Sequence, residues 1–585
     1  MTPPLPRSVV SSVFALLIAA CTSGDRPTAP ILPKSSSSAS QSSPPDIIVN
    51  TTSDEADFGG SQRVGDLPGP DGRVALREAI IAAKNTTGPH IIGFHIPRSD
   101  PGFDGTVFTI RPLTGFPALS GGGTTIDGAT QAAFTGKTNV DGPEIVLNGN
   151  LAGFVGGGLI IFSGLNTINS LVVNGFNNTG IVIIGTGATG NTVTGCFVGT
   201  NASGRGAVGN LGDGIAIIQG AANNTIGGGT LAARNLVSGN GGHGVLIHGG
   251  ATNNIVQGNF IGTDVTGTVA RGNAQAGVAL VLSSSNTIGG TAGGARNIIS
   301  GNAHEGIHSN GGSSQIIQGN FIGTDVTGTA ALGNGFEGIN LFAQLGPSAN
   351  NIIGGTTPGA GNLISGNQRS GIFVSGSGSS GNVIQGNLIG TDLSGTVKLG
   401  NAEFGVGTNA SGNFIGGTTA GARNIFSGNG AAGVAVFGPA AGVSISRNVM
   451  FLNGGLGIDL GNDGVTPNHP GCTAIGPNHF MNFPVLTSAV AAPRQLVVKG
   501  TLDCPNPETV TIEFFANPVP TPGGDPSGHG QGAIFLGSRN PNRLGTFAAT
   551  LPAVAVGTLI SATATDVNGN TSEFAANIAA TTGRP

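Results

Sequence analysis

The sequence predicts an all-β chain, a β-solenoid followed by a small β-sandwich. Three observations predict it. Glycine supplies 107 of the 585 residues and charged residues only 9%, against usual shares of about 7% and about 25%. The run Asn224-Thr225-Ile226-Gly227-Gly228 returns in kindred form from Asn286, Asn351 and Asn413, at steps of 62, 65 and 62 residues. Within each block, short β-prone runs alternate with Gly, Ser and Thr turns and show no helical periodicity. Self-similarity of this kind marks a stack of repeats. A net charge of −5 with 23 Lys and Arg leaves no basic footprint, which excludes a nucleic-acid binder.

The chain opens on export signals. Arg7, the apolar run 9–18 and Ala19-Ala20-Cys21 predict a signal peptide over residues 1–21. The Ala-Ala-Cys looks like a bacterial lipobox, whose cysteine carries lipid; an ordinary secretory signal is the other reading. Residues 22–45 form a Ser/Pro-rich spacer unable to build a core. The expected place is therefore the bacterial cell envelope, extracytoplasmic and tethered to the membrane through Cys21.

Residues 46–130 read as an N-terminal cap with the first coils, and 131–466 as the repeats. A Gly followed by Ile or Val opens a strand at Gly214, Gly244, Gly277, Gly306, Gly338, Gly371, Gly405 and Gly433. Stacking at about 4.8 Å predicts an interior column of Val245, Val278, Ile307, Ile339, Ile372, Val406, Val434 and Ile458. A second holds Ile247, Leu280, Leu341, Val374, Val436 and Leu460. Asn191, Asn224, Asn254, Asn286, Gln315, Asn351, Asn382 and Asn413 recur at coil steps, which predicts an amide ladder. Cys196 reads as a small core residue.

Residues 46–54 (DIIVNTTSD), 72–80 (GRVALREAI) and 124–128 (TTIDG) resemble the right-handed parallel β-helix proteins with a CSLREA-type N-terminal segment. The resemblance implies a right-handed parallel β-helix and specifies activity poorly. Val74-Ala75 stand where that group has Cys-Ser, while Leu76-Arg77-Glu78-Ala79 is kept. Residues 75–84 also read as an amphipathic helix, suited to cap the open end of a stack.

Beyond a junction at 467–484, residues 485–585 alternate as strands over 495–501, 509–515, 533–537, 545–551 and 559–565. That spacing predicts an immunoglobulin-like β-sandwich. Asp566, Asn568, Asn570 and Glu573 are either a calcium site or a hairpin turn, and no other cofactor is expected. Cys472 and Cys504 either pair in an oxidising compartment or stay free.

Asp264, Asp325 and Asp392 recur every second coil before Thr-Gly or Ser-Gly turns, as residues bonding their own backbone do. Arg234, Arg296 and Arg423 are structural by the same reasoning. A polar stripe that does not repeat precedes the strand-opening glycines: Asp213, His243, Gln275, His304, Glu305, Glu337, Arg369 and Glu403, with His308 beside it. Such groups suit acid–base work on a polysaccharide, a ligand or metal site, or a solvated edge. Two functions follow. One is a monomeric, non-catalytic surface lipoprotein whose scaffold binds glycan or protein. The other is a polysaccharide lyase or glycoside hydrolase, which rests on fold analogy. The chain has no Trp or Tyr, so the usual sugar platforms and any tyrosine base are missing. The first reading is favoured.

Overall fold

The structure, a computed structural model, describes residues 44–583 apart from 58, 473 and 518–526. The signal segment, Cys21 and spacer residues 22–43 lie outside the described residues. The chain divides into two compact units between Ser348 and Ala349.

Coils of three short strands build both units. In the first, Val245–His248, Ile255–Gln257 and Phe260–Ile261 make one coil; Val278–Val281, Thr287–Gly289 and Ile298–Ile299 make the next. Each strand pairs parallel with its counterpart one coil on. The result is a parallel β-helix with three sheets. The second unit repeats the plan from Ile352–Gly354 to Ile458–Leu460. Strands of two to four residues persist only because both neighbours pair with them and one face is buried.

The register bears out the apolar columns. Val245, Val278, Ile307 and Ile339 face one another in the first unit, and Ile372, Val406, Val434 and Ile458 in the second. All are buried, each contributing about 1.5–3 kcal/mol of apolar transfer before the entropy of ordering is set against it. The second column has two polar interruptions, Ser309 between Leu280 and Leu341 and Thr408 between Val374 and Val436. Ser309 Oγ donates to Gly312 O at 3.4 Å and Thr408 Oγ1 to Ala410 O at 3.2 Å. Neither hydroxyl is orphaned.

Amide ladders run along three corners of the coil, where the sequence predicts one. In the predicted ladder, Asn191 Nδ2 donates to Asn224 Oδ1, Asn224 to Asn254 and Asn254 to Asn286, at 2.9–3.1 Å. Asn351, Asn382 and Asn413 continue the device in the second unit. Asn235, Asn259, Asn297 and Asn320 form another ladder. Asn210, Asn240, Asn273, Asn302 and Asn334 form the third. Their signal is the Gly-Asn pair, with Arg-Asn at Asn235 and Asn297. Gly258 has φ +73°, and a Cβ there would strike the Gly228 carbonyl; Asn259 then bonds Asn297 Oδ1 and Ile226 O. Glycine makes the corner and asparagine holds it.

The first coils carry the helix Leu76–Asn85, which buries Leu76, Ala79, Ile80, Ala82 and Ala83. Glu78 accepts from Ala75 N and Asp57 N at 3.0 and 2.9 Å. Arg77 pairs with Asp54 at 2.7 Å and donates to the Thr114 and Gly115 carbonyls. The Leu-Arg-Glu-Ala run thus supplies two core residues, Leu76 and Ala79, and two ties. Val74 and Ala75, just before it, are buried.

The C-terminal module is a small β-sandwich of two four-stranded sheets. One orders Thr546–Leu551, Gln495–Thr501, Val485–Ala492 and Thr581–Thr582; the other orders Ile534–Arg539, Thr511–Asn517, Leu559–Thr565 and Ile578–Ala579. Leu496, Val498, Ile512, Phe514, Ile560 and Ala562 fill its core, and Cys472 and Cys504 are disulfide-bonded. Its side chains close the edge of the last coil. Gln531 Oε1 accepts Asn453 N and Nδ2 at 3.1 and 3.2 Å, Thr571 Oγ1 accepts Ile445 N at 2.9 Å, and Glu513 accepts Ser446 Oγ and Arg447 N.

Candidate functional site

Backbone bonds decide which stripe residues share a row along the stack. Gly214 N donates to His243 O, Gly244 N to Ala276 O, Gly277 N to Glu305 O and Gly306 N to Glu337 O, at 2.8–3.1 Å. Asp213, His243, Ala276, Glu305 and Glu337 are therefore one column. Gln275 and His304 lie one residue earlier, in a column with Gly242 and Phe336. In the second unit Arg369 and Glu403 also hold the earlier position, Glu403 N donating to Arg369 O at 3.3 Å, while Ser370 and Phe404 hold the later one. What reads as one stripe is two adjacent columns, because the polar residue switches between neighbouring turn positions from coil to coil.

The first unit gathers a compact cluster from these columns. Asp213 Oδ1 accepts His243 N at 2.7 Å. Burial raises the Asp213 carboxyl above its usual range, with the nearby imidazole opposing. Burial likewise lowers His243, whose Nδ1 has no partner. His308 places Nδ1 3.5 Å from Glu305 Oε1, and Asn340, its strand partner in the next coil, donates to the same oxygen at 3.4 Å. Burial alone would raise Glu305; the His308 bond and charge, with Asn340, bring it down to about 2. His304 lies against the Phe336 ring at 4.8 Å. His243 feels Asp213, His308, Glu305 and His304 electrostatically, so these side chains form one neighbourhood. In the second unit Glu403 accepts from Ser370 Oγ at 3.2 Å.

Asn340 was not singled out from sequence. Its signal is position: two residues after a strand-opening glycine, where His308 also stands. Chemically the cluster holds one locked carboxylate, Glu305, and one raised carboxyl, Asp213. Their backbones are three coil steps apart, roughly 14 Å along the stack, wider than the about 5–9.5 Å between paired glycosidase carboxyls.

The repeated residues are structural. Asp264 Oδ1 accepts Thr266 Oγ1 at 2.6 Å and Val269 N at 3.3 Å, and Asp325 and Asp392 do the same in their own turns. Arg234 and Arg296 lie over the Phe260 and Phe321 rings at 4.0 Å, and burial lowers Arg296 to about 10. The candidate calcium residues part company. Asp566 accepts Asn568 N, Asn570 N and Asn570 Nδ2 at 2.8–2.9 Å, closing its own turn. Asn570 Oδ1 instead accepts Gly442 N. Glu573 accepts Leu460 N and Thr466 N at 2.9 Å. Among the described residues no group of three or more His, Cys, Asp or Glu is arranged to hold a metal ion.

No protein-family model and no curated protein matches the chain. Among solved structures it is similar to the full-length tailspike protein 2 of Escherichia coli O157:H7 bacteriophage CAB120, at 11% identity and a TM-score of 0.30. The match covers 84% of this chain, which spans 63% of the tailspike's length.

Proposed function

We propose that this protein is a lipid-anchored, non-catalytic scaffold of the bacterial envelope that binds glycan or protein ligands along its coils. The spacing of the cluster carries the reading, with the Asp213 backbone roughly 14 Å along the stack from that of Glu305, wider than paired glycosidase carboxyls. A general acid must hold its proton near the working pH, whereas His308 and Asn340 keep the Glu305 carboxyl ionised down to about 2. Asp213 is tied to the His243 backbone and Glu305 to Asn340 and His308, so the two carboxyls do not converge on one reacting centre. The Cys472–Cys504 disulfide supports an oxidising compartment, in keeping with the export signals and Cys21.

One observation favours polysaccharide cleavage as a second reading. Asp213 and Glu305 shift in opposite directions, as the acid and base of a pair do. The chain would be incubated with neutral and acidic polysaccharides while reducing ends, unsaturated-uronide absorbance and retention in affinity gels are followed. Retention without product is the expected result. Product that disappears in Asp213→Asn would replace the scaffold with an enzyme. Cys21→Ser is expected to move the protein from the membrane to the soluble fraction.

A further inference from the structure

We propose that the outer face of the sheet containing Thr225–Gly227, Ile255–Gln257, Thr287–Gly289 and Ile316–Gln318 binds a linear, uncharged polysaccharide laid along the stack. The proposal deepens the glycan-binding reading above and rests on it. In each strand the middle residue points into the core and the first faces outward, while the third is a half-buried glutamine or a buried glycine. The register sets two rows side by side: Thr225, Ile255, Thr287 and Ile316 outward in one, and Gly227, Gln257, Gly289 and Gln318 in the other, where only the glutamines reach the surface. Neither row carries a charge, so the face offers nothing to match a polyanion.

The second row alternates glutamine with glycine because the sequence repeat is two coils long. Gln257 and Gln318 therefore stand two coil steps apart, about 10 Å, with a trough at Gly289 between them. The trough is built in, since Gly289 has φ +91° and a Cβ there would strike the Gln318 carbonyl. Neither glutamine side chain is engaged by another described residue, and both are half-buried. Each offers an amide donor and acceptor with no internal use. Beside them Ile316 is exposed and Ile255 half-buried. The second unit carries the same device: Gln385 between Gly354 and Gly416, next to Ile352, Val383 and Phe414. Ile352 and Phe414 are exposed there, Phe414 by 49%.

A sugar ring shows C–H groups on its faces and hydroxyls at its edges. The aliphatic and phenylalanine row suits the faces; the amides suit the hydroxyls. In a β-1,4-linked chain alternate sugars are turned over, so the same edge recurs every second sugar. The amides recur every second coil, a step of similar length.

The test uses the full mature chain in detergent, run in native gels containing hydroxyethylcellulose and titrated with chitohexaose. Retardation and binding are expected. The triple variant Gln257→Ala, Gln318→Ala, Gln385→Ala, at outward positions and checked for an unchanged unfolding midpoint, should bind at least about tenfold more weakly. Gln318→Leu, which keeps volume and removes the amide, should weaken binding too, whereas His304→Ala with Glu305→Ala should not. Equal retardation of the triple variant, or no response to either probe, overturns the proposal. Retention by an acidic polysaccharide that vanishes only in the His304, Glu305 variant would sink this surface yet leave a glycan-binding scaffold. No retention by any polysaccharide would sink both.

Discussion

In the second unit, each turn of coil between residues 349 and 466 buries asparagines at its corners, whereas the sandwich over residues 485–583 keeps its central core apolar. The sandwich does bury polar side chains, and five of them, Glu513, Gln531, Asn570, Thr571 and Glu573, bond the last coil. The contrast has a physical origin. A buried amide left unpaired costs about 1–3 kcal/mol; in a stack, the copy one coil on supplies the missing partner. At the end of the stack that copy is absent. The sandwich provides acceptors in its place, and because it has no internal repeat it keeps its own interior free of amides.

The largest expected effect breaks a ladder in mid-run. Asn387 accepts from Asn362 Nδ2 and donates to Asn424 Oδ1 and Ile353 O, at 2.9–3.0 Å. Asn387→Ala removes these side-chain bonds from the interior and is expected to cost about 4 kcal/mol, read by urea denaturation. A cost under about 1 kcal/mol would remove the ladder from the account.

Next comes the device that only the sandwich side uses. The disulfide closes a separation of 32 residues, so Cys472→Ser with Cys504→Ser should cost the C-terminal module about 2–4 kcal/mol. The coils before residue 349 should keep their hydrogen-exchange protection. Smaller again is Gln531→Ala, which leaves Asn453 without its end acceptor and should cost about 1–3 kcal/mol. If its effect on the calorimetric midpoint equalled that of Asn387→Ala, ends and middles of ladders would not differ as argued.

The mildest effect is a pH slope. Burial, with repulsion from Asp459, raises the Glu573 carboxyl from 4.5 to about 7 against the bonds from Leu460 and Thr466. A raised acid favours the folded state when protonated. Its contribution is therefore complete below about 4.5 and is lost as pH rises through about 7. The melting temperature of the second unit should fall across that window, and Glu573→Gln should flatten the slope.

Much of this was legible in the residues. The aliphatic columns follow from the glycine that opens each strand, since a period of two fixes which side chain turns inward. One ladder was legible because Asn224, Asn254 and Asn286 each stand directly before a β-prone run. The two others were not, because Asn259 and Asn240 hide in Gly-Asn pairs that read as ordinary turns. The polar stripe was half legible. Its residue types are visible in a chain with 9% charge, but turn positions lack the strict alternation of a strand, so the rows to which His304 and Arg369 belong could not be assigned from spacing.

By itself, the sequence determined the repeat, the coil, the buried columns and the place where repetition stops. These depend on local pattern repeated many times, and repetition makes a pattern readable. Only the tertiary structure decided which single residues meet: Glu305 with His308 and Asn340, Gln531 with Asn453, and Glu573 with Leu460 and Thr466. Each of those contacts occurs once, between residues whose separation no period specifies, and is set by how whole coils and sheets come to rest against one another.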